Sequence, residues 1–172
     1  MVDPFHPFPE WQYEKGLKLM TTHHARIQPQ WKTTVYFPAM LAMQTALKKG
    51  SHEAVYVDKH GSILEGTTFN VFCVDRRGCL IAPEKGVLPG VTAGCVLQLA
   101  RQLKIPIKRE SIHPETLRTA RECFITSSNR ELIPAIQVDG RRIGDGRPGL
   151  ITRELHFAYR RLICQKAGLR LS

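Results

Sequence analysis

Ser62-Ile63-Leu64-Glu65-Gly66-Thr67-Thr68-Phe69-Asn70-Val71-Phe72-Cys73-Val74 reads as strand, polar turn, strand, with a glutamate closing the first strand. Upstream, Lys59-His60-Gly61 makes a turn back to a third β-branched run, Glu53 to Val57. Downstream, Asp75-Arg76-Arg77-Gly78 turns into Cys79 to Ala82. Hairpins of this kind point to antiparallel pairing. The flanks carry single helices and isolated strands. Gly16 to Arg26 alternates as a strand. Pro38 to Lys49 reads as a helix with proline in its first turn, and Val91 to Leu103 has helical apolar spacing. Beyond these come a strand at Ile105 to Arg109, a short helix at His113 to Thr119 and a strand at Glu122 to Thr126. Ile133 to Val138 pairs with Arg141 to Ile143 across Asp139-Gly140, and Leu150 to Gln165 closes the chain as an amphipathic helix. The pattern predicts a mixed α/β sheet. It is not doubly wound, because βαβ units do not repeat.

Four features carry chemistry. Lys32 stands alone in the neutral stretch Gln30-Trp31-Lys32-Thr33-Thr34. Glu65 opens the polar turn. Pro89-Gly90-Val91-Thr92 leads into a helix, where unsatisfied N–H groups and the helix dipole favour an anion. Thr126-Ser127-Ser128-Asn129 is a loop rich in small hydroxyls after an apolar strand. Together they offer an amine, a carboxylate and two phosphate-sized anion sites, which are the parts a pyridoxal 5'-phosphate site needs. Such a site requires a nucleophilic lysine, whose pKa falls readily on desolvation. It also uses a carboxylate to keep the pyridine nitrogen protonated.

In order and spacing these segments resemble the class IV (branched-chain and D-amino-acid type) aminotransferases. The resemblance is carried by Trp31-Lys32-Thr33-Thr34-Val35-Tyr36, Leu64 to Phe72, Gly86-Val87-Leu88-Pro89-Gly90-Val91-Thr92, Phe124 to Pro134, and Val138 to Gly149. It implies the pseudo-barrel large domain of the fold-type IV pyridoxal phosphate enzymes. Lys32 would be the Schiff-base lysine and proton carrier, and Glu65 the partner of the pyridine nitrogen. Val91 and Thr92 would cradle the phosphate with Ser128, and Tyr36 would lie near the phenolic oxygen. The implied reaction moves an amino group between an amino acid (branched-chain or D-amino acid) and a 2-oxo acid. A 4-amino-4-deoxychorismate lyase of the same family is a second reading, and a truncated, non-catalytic or partner-dependent domain a third. Four positions depart from the usual pattern: Val35 replaces an Asn, Ala93 replaces an Arg, and Asn129-Arg130 stands where small residues precede Glu131. The last departure is expected to alter the substrate side of the pocket.

Family members carry a small N-terminal domain that this sequence does not display. Residues 1–14, with Pro4, Pro7 and Pro9, read as a linker-like segment, and 15–172 as the pyridoxal-phosphate-binding large domain. A homodimer, or a partner supplying the missing small domain, is the expected assembly. A chain of 172 residues suits one core. No apolar run is long enough to span a membrane, and no signal peptide is visible. The net charge of +10 is spread as separate pairs such as Lys48-Lys49, Arg76-Arg77 and Arg160-Arg161, so nucleic acid is not expected as a partner. The five cysteines lack metal-site spacing, and His23 and His24 would point to opposite faces of a strand, so no metal is expected. The thiols suit a cytoplasmic location. Arg26 reads as a surface arginine.

Overall fold

The structure is a computed structural model that describes residues 8–24 and 26–168. In chain order the elements are α1 (Glu10–Lys15), β1 (Leu17–His23), α2 (Phe37–Lys48), β2 (Glu53–Val57), β3 (Ile63–Gly66), β4 (Asn70–Val74) and β5 (Leu80–Ala82). They continue with α3 (Val91–Gln102), β6 (Ile107–Arg109), α4 (Pro114–Thr119), β7 (Glu122–Ser127), β8 (Glu131–Val138), β9 (Arg141–Arg142) and α5 (Leu150–Ala167).

The strands run in the order β3-β2-β1-β8-β7-β4-β5-β6, and β3 also pairs with β4 through Glu65 and Asn70. That last pairing closes six strands into a barrel. β1 lies parallel to β2 and β8, while β2–β3, β4–β7 and β7–β8 are antiparallel, so the sheet is mixed. Side chains alternate across the wall as a two-residue period requires. Val55, Val57, Val71, Cys73, Ile125 and Ile133 belong to the inner core with Leu17, Leu19 and Ile63. Phe72, Val74, Phe124 and Leu132 face outward and are covered by α3 and α5, the two phenylalanine rings stacking at 5.1 Å. A smaller cluster of Met20, Ala46 and Ala54 seats α2.

The helix termini show why the segments stop and start where they do. Glu122, buried on β7, accepts from the N–H groups of Ile151 and Thr152 and from the Thr152 hydroxyl. It thus places a carboxylate on the exposed donors of the first turn of α5. A Cβ on Gly149 would collide with that carboxyl. Asp139 and Gly140 both have positive φ (47° and 76°), the turn an Asp-Gly hairpin demands. Asp139 also accepts from the Thr21 N–H and hydroxyl, tying the hairpin to β1.

Several boundaries differ from the sequence reading. β1 ends at His23, three residues before Arg26, because the chain leaves the sheet to form the loop that carries Lys32. β3 runs to Gly66, so Glu65 lies within a strand and not at its end. β8 begins two residues earlier than expected, at Glu131. Part of the linker-like segment, residues 1–7, lies outside the described residues. Of the remainder, α1 packs on β8 and Tyr13 packs against the inner core, so the packed body begins before residue 15. Among the described residues no helix is long and apolar enough to cross a membrane.

Candidate active site

A cavity of about 1000 Å³ lies against the outer face of the barrel wall, bounded on one side by the 24–36 loop and the start of α2 and on the other by the N-terminus of α3. Tyr56, Asn70 and Thr126 reach it because they alternate with the inward-facing Val55, Val71 and Ile125. Lys32, Tyr36, Glu65, Val91, Thr92 and Ser128 all line it. Six positions from four separate stretches of sequence therefore meet in one space.

Glu65 is 3% exposed. One carboxylate oxygen accepts from the Leu88 N–H at 2.8 Å and the other from Arg26 Nη1 at 3.0 Å. Burial pushes its pKa up, and the Leu88 N–H, Arg26 and the charge of Lys32 pull it back. The expectation of a surface role for Arg26 is corrected here: the structure places it on the candidate carboxylate. Its Nη2 donates to the Trp31 carbonyl at 2.7 Å, which ties the lysine-bearing loop to Glu65. A strand reading could not find this, because β1 ends before Arg26. Lys32 is exposed on that loop, facing the cavity. Tyr36 is the N-cap of α2.

At the opposite side, Gly90 is the N-cap of α3 and makes no side-chain cap, so the N–H groups of the first turn have no side-chain acceptor from that position. Thr92 lies inside the helix and is not its cap. It is 3% exposed, whereas Val91 stands out at 78%. A Cβ on Gly90 would run into the Asn70 side chain, whose amide donates to the Leu88 carbonyl at 2.8 Å. Gly90 therefore permits a close backbone approach that brings the helix start to the cavity. Ser128 sits in the turn between β7 and β8.

Sequence reasoning missed Tyr56, and it named Thr126 only as part of the small-hydroxyl loop. Tyr56 is nearly buried, with His24 edge-on to its ring at 4.9 Å. The Thr126 hydroxyl is buried in the cavity lining and has no partner among the described residues. The only sequence signal for Tyr56 is strand phase, which assigns a face and not a ligand. The uncapped helix start, the paired acid at Glu65, the loop amine and the orphaned hydroxyl fit a planar, phosphate-bearing cofactor that needs a covalent anchor.

The chain is similar to known proteins in sequence and in fold. The model of the family "Amino-transferase class IV" matches residues 1–138. The branched-chain-amino-acid aminotransferase of Pseudomonas aeruginosa is 32% identical over 160 residues, covering 89% of this chain and 52% of that protein. The crystal structure of the branched-chain aminotransferase of Thermoproteus uzoniensis with norvaline superposes with a TM-score of 0.84 at 30% identity, over 95% of this chain and 56% of that one. The branched-chain amino acid aminotransferase of Thermobaculum terrenum, in its PLP-form, gives 0.83 at 27% identity over 91% and 54%. The chain thus spans about half the length of these relatives. With a family model matched over most of its length and the same barrel, the chain belongs to the class IV aminotransferase family.

Proposed function

We propose that this chain is the cofactor-holding part of an aminotransferase of the branched-chain type, moving an amino group between an amino acid and a 2-oxo acid with pyridoxal 5'-phosphate. The observation that supports the reading is the meeting of Lys32, Tyr36, Glu65, Val91, Thr92 and Ser128 around one cavity. When bound, the cofactor supplies an electron sink for the bond-breaking at the substrate's Cα. Lys32 Nζ would be the covalent anchor and would carry the proton leaving Cα. The Glu65 carboxylate, braced by Arg26, holds the proton on the ring nitrogen. The amides opening α3, with the hydroxyls of Thr92 and Ser128, bind the phosphate. Tyr36, at the start of α2, would lie near the phenolic oxygen. Residues 15–172 would then make up most of the cofactor domain, with α1 packed on its β8 strand.

Ile27, Trp31, Val35 and Phe37, all strongly exposed, border the cavity or follow directly on its rim. An apolar rim of this kind is costly in water. We assign it to contact with a second copy or with a partner that completes the substrate pocket. The five free thiols suit a cytoplasmic setting. The reading is tested by adding pyridoxal 5'-phosphate and then L-leucine to the purified chain. A visible absorbance band that L-leucine converts supports it, and a band that no amino acid converts leaves a binding domain without turnover.

A further inference from the structure

We infer that Glu131 is a positioning residue of the site: anchored from behind by α5 and α1, it sets the β7–β8 turn so that Ser128 is presented to the cofactor's phosphate. The inference rests on the reading of the cavity as a cofactor site. It adds to that site a residue that touches neither cofactor nor substrate.

Strands β7 and β8 pair as far as Ser127 and Glu131, so Ser128, Asn129 and Arg130 form the connection between them. Ser127, Ser128, Asn129 and Arg130 line the cavity, whereas Glu131 lies outside its lining. Among the described residues the Ser128 hydroxyl makes no hydrogen bond, so its placement follows the backbone of the turn. That backbone is closed by Glu131 at a φ of 55°, in the left-handed region. A residue with a Cβ is strained there. Such a conformation persists only where surrounding contacts over-determine it.

Those contacts come from two helices. His156 Nε2 lies 2.6 Å from Glu131 Oε2, and Arg160 Nε donates to the same oxygen at 2.8 Å. His156 and then Arg160 hold the carboxyl down at about 2, so the anchor is a charged one. Tyr13 of α1 joins this anchor to the turn. Its ring stacks on His156 at 5.3 Å and lies 5.7 Å from the Arg160 guanidinium, while its hydroxyl donates to the Arg130 carbonyl at 3.3 Å. The Arg130–Glu131 peptide is therefore gripped on both sides, at the carbonyl before the strained residue and at the carboxylate of that residue. The ion pair of Arg130 with Glu53 on β2 fixes the Arg130 side chain and leaves the strained backbone to the Glu131 anchor.

The test is titration with pyridoxal 5'-phosphate and with pyridoxal, which lacks the phosphate, followed by absorbance, for wild type, Glu131→Gln, Ser128→Ala and the double variant. Glu131→Gln is expected to weaken pyridoxal 5'-phosphate by roughly tenfold, the effect of misplacing a hydrogen bond to a charged group, and to leave pyridoxal within about twofold. In the Ser128→Ala background the same change is expected to cost under about twofold for either ligand, because the contact it positions is already gone. A merely structural role would weaken both ligands alike and add to the loss from Ser128→Ala. Should Glu131→Gln fail to fold, Glu131→Gly removes the anchor from a residue that takes this φ without strain, and it carries the same expectation. Equal losses for both ligands, additive costs, or a wild-type preference for pyridoxal 5'-phosphate that survives Glu131→Gln would overturn the Glu131 assignment alone. Equal affinity of the wild type for the two ligands would instead remove the phosphate site, and Glu131 with it.

Discussion

The chemistry of the cavity turns on how a buried carboxylate is kept ionised. Glu65 bears the desolvation cost of burial, and that cost raises its pKa. The Leu88 N–H and Arg26 oppose the rise, so the charge depends on two donors that the sequence alone does not connect. Arg26→Ala removes one of them and detaches the Trp31 carbonyl as well. Without Arg26 the Glu65 pKa moves further up, and the ionised form is then lost at a higher pH on the acid side. Titrations with pyridoxal 5'-phosphate between about pH 5 and 8 are therefore expected to show weaker binding in the variant. The acid limb should lie at higher pH than in wild type, and coincident profiles would remove Arg26 from the site. Glu65 taken alone reads as a turn residue before Gly-Thr-Thr, and it is the family resemblance that singles it out. Arg26 is not legible, since its partner lies 39 positions away and no local pattern encodes that distance.

At the level of elements, the hairpins and helices are readable where turn chemistry or apolar spacing is explicit. Asp139-Gly140 and the α3 segment from Val91 are examples. The strand ends are less legible. β3 runs through Glu65 to Gly66 because its ladder partner is Asn70, a tertiary pairing that closes the barrel. The closure itself is invisible to periodicity, which gives the face of a strand and not its neighbour. The β7–β8 junction also binds elements together. The Glu131 carboxylate is held down at about 2 by its hydrogen bond with His156 and then by Arg160, both on α5. A folded-state pKa below the ordinary value of 4.5 means that this cluster stabilises the fold above that pH. The contribution fades as pH falls from there toward about 2. Acid unfolding of wild type should steepen in that window. Glu131→Gln, less stable at neutral pH, should show a flatter limb there, and parallel curves would contradict the linkage.

For the whole molecule, one closed barrel organises both the core and the site. Its inner residues form the packed interior, and its outer face provides Tyr56, Asn70 and Thr126 to the cavity. What the barrel does not cover is the apolar rim continued by Met40 and Leu41 on α2. Sedimentation over a range of concentrations is expected to show self-association, which charged substitutions at Phe37 and Met40 would abolish. A monomer at every concentration would instead assign the rim to a different partner. The proposed cofactor site stands or falls on Lys32 as its covalent anchor. The direct test is to incubate the chain with pyridoxal 5'-phosphate, reduce with borohydride, digest, and map the modified lysine by mass spectrometry. A stoichiometric phosphopyridoxyl group on Lys32, absent in Lys32→Ala, is the expected outcome. A label scattered over surface lysines, or none on the Lys32 peptide, would refute the assignment.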